Sequence, residues 1–285
     1  MRIALKIAYD GRDFFGHQRQ PDRRTVEGEC LEALRSAKIV NDPRESFFRS
    51  ASRTDRGVSA VGNVIAFNSR LGPMSTIGAF NDRARDVWAW AVAEVPAAFH
   101  PRHAVERWYR YHLFSDLPLS ALRRTAQLFV GAHDFRSFTT DHPVGPMAID
   151  GIDVAQDGRV IVFDIKARSF RRAMVRRIVA AVTRAAAGEI GEDDIRSALR
   201  GTLRDFGAAA PEPLFLMDVR YPFSMKGVLT PKVGAEFRLR MDEVEIDQRF
   251  LASWREALEE RLVASARGAD FVQDIREKAF HRDGP

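Results

Sequence analysis

The 285-residue sequence has little cysteine and no long apolar run. Its single cysteine, Cys30, can form neither an intrachain disulfide nor a cysteine-based zinc site, so a disulfide scaffold and a zinc finger are excluded. No run of about 18 apolar residues occurs, and Arg2, Lys6 and Asp10 interrupt the apolar N-terminus. We therefore expect no membrane span and no signal peptide, and the sequence predicts a cytoplasmic protein.

Lysine is also scarce, although the chain is basic. Hydrophobic residues make up 45% and charged residues 29%, as in an ordinary globular protein of one large or two modest domains. Only six of the 44 basic residues are lysines, so 38 are arginines. Arginine binds phosphates bidentately and stacks on bases, which favours a nucleic-acid partner, although a GC-rich genome would produce the same bias. The last 64 residues carry 11 basic and 12 acidic side chains, so the positive excess lies before them.

Residues 1–104 are predicted to form a first α+β domain. The apolar alternation of residues 3–8 indicates a strand, and Thr25 can cap a helix that places Cys30 in the core. Residues 63–67 suggest another strand. A second helix is predicted to begin at Asn81, with one apolar face formed by Trp88, Ala91, Val92 and Val95.

Residues 105–222 are predicted to form a second α+β domain, because strands and helices again alternate. On its first strand Tyr109, Tyr111 and Leu113 share one face. The later elements predicted here are a helix over 120–130, a hairpin of strands 148–155 and 159–166, a helix from Phe170 to Gly188, and a strand over 214–221.

Residues 223–285 are predicted to form a tail with an amphipathic helix. Its apolar positions are Leu251, Trp254, Leu258 and Leu262. We interpret this helix as a packing or dimerisation element.

One segment concentrates charge in a way that suggests chemistry. Arg53-Thr54-Asp55-Arg56-Gly57 places a carboxylate between two guanidinium groups and beside a glycine. The spacing alone is typical of a surface turn. Its interpretation therefore depends on the other motifs of the chain.

Eight segments, in this order, resemble the TruA-type tRNA pseudouridine synthases over about residues 3–221. They are Tyr9-Asp10-Gly11, Gly16-His17-Gln18-Arg19-Gln20, Thr25-Val26-Glu27, Arg53-Thr54-Asp55-Arg56-Gly57-Val58, Phe99-His100-Pro101-Arg102, Arg107-x-Tyr109-x-Tyr111, His133-Asp134-Phe135, and Ser169-Phe170 with Met174-Val175-Arg176. The resemblance implies an α+β fold of two ferredoxin-like halves with antiparallel sheets around a central cleft. It also implies a homodimer, tRNA as partner, no cofactor, and isomerisation of uridine in the anticodon stem-loop, at nucleotides 38 to 40.

The resemblance also implies roles for individual residues. Asp55 would be the catalytic carboxylate, Arg176 the guanidinium that keeps it ionised and oriented, and Tyr109 the platform for the flipped uracil. Asp55 could add to the base, attack C1′ of the sugar, or remove a sugar proton, and the residues do not decide among these. RNA contacts are expected from the arginines of the same two segments, Arg53, Arg56, Arg171 and Arg172.

The sequence departs from the family pattern at four positions. Ser52 replaces a glycine, Arg56 an alanine, Ser59 a histidine and His17 a tryptophan. Arg56 adds positive charge beside the Asp55 loop, so the affinity for RNA or the choice of target could differ from that of other family members.

Other kinds of site find little support. Gly11–Gly16 lacks the Gly-Lys-Ser/Thr ending of a phosphate loop, which argues against a nucleotide cofactor, and His100 with His103 lacks a third metal ligand. Two alternatives stay open: a structured-RNA-binding protein without catalysis, and a pseudouridine synthase of the same family with another RNA target. Catalysis is favoured by the joint occurrence of Asp55, Tyr109 and Arg176.

Overall fold

Strands and helices alternate along the residues that the computed structural model describes, namely 1–40, 42, 45–141 and 146–262. The predicted α+β class is confirmed. The strands are β1 (Arg2–Tyr9), β2 (Arg49–Ser50), β3 (Ser59–Asn68), β4 (Val87–Val95), β5 (Glu106–Leu113), β6 (Gly131–His133), β7 (Met147–Ile149), β8 (Gly151–Asp157), β9 (Val160–Ala167), β10 (Leu214–Arg220) and β11 (Lys226–Gly227). The helices are α1 (Val26–Ser36), α2 (Pro73–Arg83), α3 (Leu119–Ala126), α4 (Met174–Ala186), α5 (Glu192–Leu199) and α6 (Pro231–Leu262).

Within the described ranges, nine strands form one sheet in the order β11-β4-β1-β3-β10-β5-β9-β8, with β2 paired to β3. The first half contributes the antiparallel order β4-β1-β3-β2 and the second half the antiparallel order β10-β5-β9-β8. The first half runs strand, helix, strand, strand, helix, strand, which is the ferredoxin-like arrangement, and the second half follows the same order with β6, β7 and α5 added to it. The two halves implied by the resemblance are therefore present, while the domain limits at residues 104 and 222 stay a prediction.

The two halves join through β10, the last strand of the second half. It pairs in parallel with the start of β3, where Leu216 lies opposite Ala60, and β2 pairs with the other end of β3. On its other edge β10 pairs with β5, where Leu216 lies opposite Tyr109. The residues that precede β3 are thus brought beside the middle of β5.

The core forms as the alternation of β1 predicts. Ile3, Leu5 and Ile7 are fully buried. Thr25 caps α1 by accepting a hydrogen bond from the Gly28 N–H at 3.2 Å, and this directs Cys30 into the same core. The interpretation of Cys30 as a packing residue is confirmed.

The helix predicted from Asn81 is wrong, because this segment is the end of α2 followed by strand β4. The spacing of its apolar residues fits both the helical period of 3.6 residues and the strand period of 2, and the pairing of β4 with β1 decides in favour of the strand. Asn81 links the two elements: its Nδ2 donates to the Ala89 carbonyl and its Oδ1 accepts from the Ala89 N–H, both at 2.8 Å.

The helix predicted from Phe170 begins four residues later, at Met174. Ala173 has a φ of 58°, in the left-handed region, which the backbone of an α-helix does not adopt. Gly188, with a φ of 76°, ends α4 as predicted. Helix α5 was not expected from the sequence.

The predicted tail helix is present as α6, which is longer than its apolar pattern indicated. Residues 263–285 of the tail lie outside the described residues.

Candidate active site

Asp55 lies in the loop between β2 and β3. The Val58 N–H donates to the Asp55 carbonyl at 3.2 Å, closing a tight turn, and Gly57 has a φ of 86°, which favours glycine. Because β3 begins directly after this turn, the loop is held at the junction of the two halves. The side chain of Asp55 keeps 28% of its surface exposed, so its carboxylate can reach a ligand.

The loop that follows β1 packs against the Asp55 loop. Gly11 approaches so closely that a Cβ there would lie 2.2 Å from the Val58 carbonyl oxygen. The His17 N–H donates to the Thr54 carbonyl at 3.1 Å, and the Tyr9 hydroxyl is hydrogen-bonded to the Thr54 hydroxyl at 2.9 Å. These contacts fix the backbone on either side of Asp55.

Arg176 reaches Asp55 from the second half of the chain. Its Nη1 donates to Asp55 Oδ2 at 3.1 Å, and its Nε donates to the Ala209 carbonyl at 2.7 Å. The guanidinium is therefore held at two points, and it orients the carboxylate. The structure brings together two residues that are 121 positions apart and that were predicted to act as a pair.

Tyr109 is buried in β5, where it lies opposite Leu216 of β10 and Ile165 of β9. Its ring meets Phe170 edge to face, with centroids 5.0 Å apart. Burial raises the pKa of the Tyr109 phenol, and the Asp55 carboxylate adds to this rise, whereas Arg107 and Ser52 act in the opposite direction. The phenol is therefore neutral at pH 7.

Arg107 was quoted within a motif but given no function, and the structure makes it a central residue of the site. It is buried, its Nε donates to Ser52 Oγ at 3.0 Å, and its Nη2 donates to the Ala51 and Arg102 carbonyls at 3.0 Å. It thereby ties β5 to the start of the Asp55 loop. The alternation of β5 could have revealed it, because Arg107 shares the buried face of Tyr109 and Tyr111.

His17 lies beneath the loop, with both ring nitrogens buried and without a hydrogen-bond partner. Burial, with a further contribution from the charge of Arg53, lowers the pKa of His17 to about 4. The imidazole is consequently neutral at physiological pH.

The predicted RNA-binding arginines are exposed, and they lie on the two segments that Asp55 and Arg176 connect. Arg56 stacks on Phe15, with its Cζ 4.5 Å from the ring centroid, and Arg23 stacks on the same ring at 4.6 Å. Arg172 donates its backbone N–H to Asp141 at 3.1 Å.

A surface depression adjoins the Asp55 loop. It has a volume of about 440 Å³, and it is lined by Arg12, Arg56, Gly57, Pro211 and Glu212. Pro211 and Glu212 precede β10, so the depression lies between residues of both halves.

The other candidate sites are occupied by structural contacts. A ring nitrogen of His133 is hydrogen-bonded to the Val130 carbonyl at 3.0 Å, and Asp134 pairs with Arg136. The rings of His100 and His103 lie 5.3 Å apart. Over the described ranges, no group of three or more His, Cys, Asp and Glu side chains could hold a metal ion.

Comparison with known proteins identifies the family. Residues 125–222 match the family model described as tRNA pseudouridine synthase. The chain is 41% identical to tRNA pseudouridine synthase A of Thermococcus sibiricus over 264 residues, covering 89% of this chain and 98% of that protein. It is 44% identical to tRNA pseudouridine synthase A of Pyrococcus furiosus over 227 residues, covering 78% and 84%. The chain belongs to the tRNA pseudouridine synthase A family.

Family membership identifies the chain as an isomerase that converts uridine to pseudouridine. Among solved structures, the archaeal box H/ACA sRNP Nop10-Cbf5 complex aligns with a TM-score of 0.32 at 12% identity, over 64% of this chain and 43% of that chain. That likeness is too weak to support an argument. In the part of the chain described, no helix combines the length and apolarity needed to cross a membrane.

Proposed function

We propose that this pseudouridine synthase acts on the tRNA anticodon stem-loop, at nucleotides 38 to 40, with Asp55 as the catalytic carboxylate. The relatives' name, tRNA pseudouridine synthase A, supports tRNA as the substrate. The observation that carries the catalytic assignment is the Asp55–Arg176 pair, formed at 3.1 Å where the two halves of the sheet join and beside the buried Tyr109.

The reaction places few demands on the protein's chemistry. The N1–C1′ bond of uridine breaks, the uracil rotates, a C5–C1′ bond forms, and the C5 proton leaves, so nothing is oxidised or reduced. A single ionised carboxylate can promote this exchange by adding to the base, by attacking C1′, or by removing a sugar proton. Arg176 keeps the Asp55 oxygens pointed at the reacting sugar and base in each of these routes.

The target uridine must leave the RNA stack before it can react. Extraction costs a few kcal/mol, which contacts in the pocket must offset. Phe170 meets Tyr109 edge to face, and we assign Tyr109 to cover the flipped uracil. Because its phenol stays neutral, its oxygen is a poor base for the C5 proton, so stacking on the uracil is the main contribution of Tyr109.

The exposed arginines beside these groups bind the RNA backbone. Arg53 and Arg56 flank Asp55 in sequence, and Arg171 and Arg172 precede α4, which carries Arg176. Phosphates on either side of an extracted nucleotide would therefore meet guanidinium groups from both halves. We further propose that the enzyme works as a homodimer and in the cytoplasm.

The test is incubation with an unmodified tRNA transcript that carries tritium at uridine C5, because isomerisation releases this label to water. We expect release from the anticodon stem-loop and a pseudouridine mapped at nucleotides 38 to 40. Release confined to uridines elsewhere would overturn the proposed target but not the activity. Binding of the transcript without any release would favour an RNA-binding protein.

A further inference from the structure

The Asp55 loop leaves the sheet at a place where a side chain continues the strand pairing. The pairing of β2 with β3 extends to the Ala51 N–H, which donates to the Val64 carbonyl at 2.8 Å. At the next position the side chain of Asn63 takes over. Its Oδ1 accepts a hydrogen bond from the Ser52 N–H at 3.3 Å, and its Nδ2 donates to the Ser52 carbonyl at 3.0 Å. The Asn63 amide thus binds both backbone groups of Ser52, as a neighbouring strand would.

Asn63 is fully buried, and its amide is used completely. Besides the two contacts to Ser52, Oδ1 accepts from the Val64 N–H at 2.8 Å and Nδ2 donates to the Tyr9 hydroxyl at 3.3 Å. A carboxamide offers two donor hydrogens and two acceptor lone pairs, so these four contacts are all that it can make. Loss or rotation of the amide would leave buried polar groups without partners, which is costly in a core. Asn63 therefore fixes the position of Ser52.

A second contact carries this order toward Asp55. The Tyr9 hydroxyl that Asn63 contacts is also hydrogen-bonded to the Thr54 hydroxyl at 2.9 Å. Ser52 and Thr54 are both buried, and they lie three residues and one residue before Asp55. The chain that leads to the carboxylate is thus held at two points, and both depend on one asparagine.

We propose that Asn63 is a positioning residue for the reaction and acts through the backbone of the Asp55 loop. This inference rests on the proposed catalytic role of Asp55. Arg176 orients the carboxylate from the second half of the chain, but it cannot place the backbone from which the carboxylate extends. A displacement of about 1 Å at a reacting group can lower a rate about 100-fold, so the loop must be placed as accurately as the carboxylate is oriented.

Asn81 provides a matched control for this role. It is also buried, its Nδ2 and Oδ1 bind the carbonyl and the N–H of Ala89, both at 2.8 Å, and Nδ2 donates to the Thr230 hydroxyl at 3.1 Å. Both asparagines therefore bind the two backbone groups of one residue and one hydroxyl. The partners of Asn81 lie on β4 and directly before α6, away from the Asp55 loop.

The test compares Asn63→Ala with Asn81→Ala in the full chain. Both variants should unfold at a lower urea concentration than the wild type, because each leaves a buried backbone N–H and carbonyl without a partner. Single-turnover tritium release from saturating tRNA should fall about 100-fold in Asn63→Ala but stay within about twofold of the wild type in Asn81→Ala. The affinity for tRNA should stay within about threefold in both, so the loss appears in the rate and not in binding.

Hydrogen exchange gives a readout that does not depend on activity. The Ser52 amide should exchange at least about tenfold faster in Asn63→Ala than in the wild type, and the Ala89 amide should do so in Asn81→Ala. A wild-type release rate in Asn63→Ala, or an equal slowing of release by both variants, would overturn the proposal.

A milder variant covers the case in which Asn63→Ala does not fold. Tyr9→Phe keeps the aromatic ring and removes only the hydroxyl that joins Asn63 to Thr54. It should lower the release rate about fivefold at unchanged tRNA affinity, and an unchanged rate would overturn the proposal. Tritium release by Asp55→Asn would instead overturn the catalytic assignment itself, so the two failures are distinguishable.

Discussion

Tyr109 has two separable groups, an aromatic ring and a hydroxyl, in the middle of the site. Phe at this position keeps the ring and its packing on Phe170, whereas Ala removes both the ring and the hydroxyl. We predict that Tyr109→Ala loses more activity than Tyr109→Phe. The difference in single-turnover rate or in tRNA affinity should correspond to about 1 to 3 kcal/mol, which is the usual contribution of a base–aromatic stack. Equal activities of the two variants would leave the stacking role without support.

Arg56 is the position at which this chain adds a positive charge to the Asp55 loop. Its stack on Phe15 holds the guanidinium at the rim of the depression that adjoins the loop. We predict that Arg56→Ala weakens tRNA binding and lowers the slope of log affinity against log salt by about 0.7 to 0.9, with little change in the saturated single-turnover rate.

The matched control for Arg56 is Arg159→Ala. Arg159 also stacks on a phenylalanine, Phe114 at 5.8 Å, but it lies in the turn between β8 and β9 at the edge of the sheet. Its removal should leave the salt slope unchanged. An unchanged slope for Arg56→Ala as well would mean that Arg56 contacts no phosphate, and a collapse of the saturated rate would mean that it acts on Asp55.

His17 couples the stability of the site to pH. The pKa of His17 is about 4 in the folded chain, against an ordinary histidine value of 6.5, so between these values the unfolded chain binds a proton that the folded chain does not. Stability is therefore lost as pH falls from about 6.5 to about 4. We predict that unfolding by urea loses about 2 kcal/mol more between pH 7 and pH 5 in the wild type than in His17→Phe. Parallel pH curves for the two proteins would contradict a buried neutral imidazole.

At the scale of elements, the contact between the β1 loop and the Asp55 loop depends on a missing side chain. A Cβ on Gly11 would meet the Val58 carbonyl, and because both partners are backbone, neither can move aside cheaply. We predict that Gly11→Ala costs about 1 to 3 kcal/mol of unfolding free energy and lowers activity, as overpacking does. Gly78→Ala is the control, since Gly78 lies inside α2 with no atom near its Cβ position, and it should stabilise by about 0.5 to 1 kcal/mol. Equal melting temperatures of the two variants would refute the close contact.

The elements that could be predicted from the sequence are those whose apolar pattern or capping residue fits only one type of secondary structure. Alternation identified β1 and β5, and Thr25 identified the start of α1. Val87–Val95 could not be assigned, because Trp88, Ala91 and Val92 also fit a helical face, and only the pairing with β1 excludes it. The start of α4 was missed because Ala173 has a left-handed φ, and an alanine in the sequence does not indicate such a conformation.

At the scale of the whole molecule, the site depends on how the two halves join. Asp55 and Arg176 could be proposed as partners only through the family resemblance, since nothing in the local pattern of either segment refers to the other. Their contact follows from the insertion of β10 between β3 and β5, which is a long-range pairing. The alternation of β5 indicates that Arg107 is buried, but its partners Ser52 and Ala51 lie on the other half and could not be predicted from the local pattern.

The central claim, that Asp55 carries the reaction at this junction, is tested most directly by single-turnover tritium release with Asp55→Asn. The substitution removes an ionisable oxygen and almost no volume, so folding and tRNA affinity should stay within a few-fold of the wild type. We predict no detectable release from saturating C5-tritiated tRNA. Substantial release by the purified variant would contradict the account.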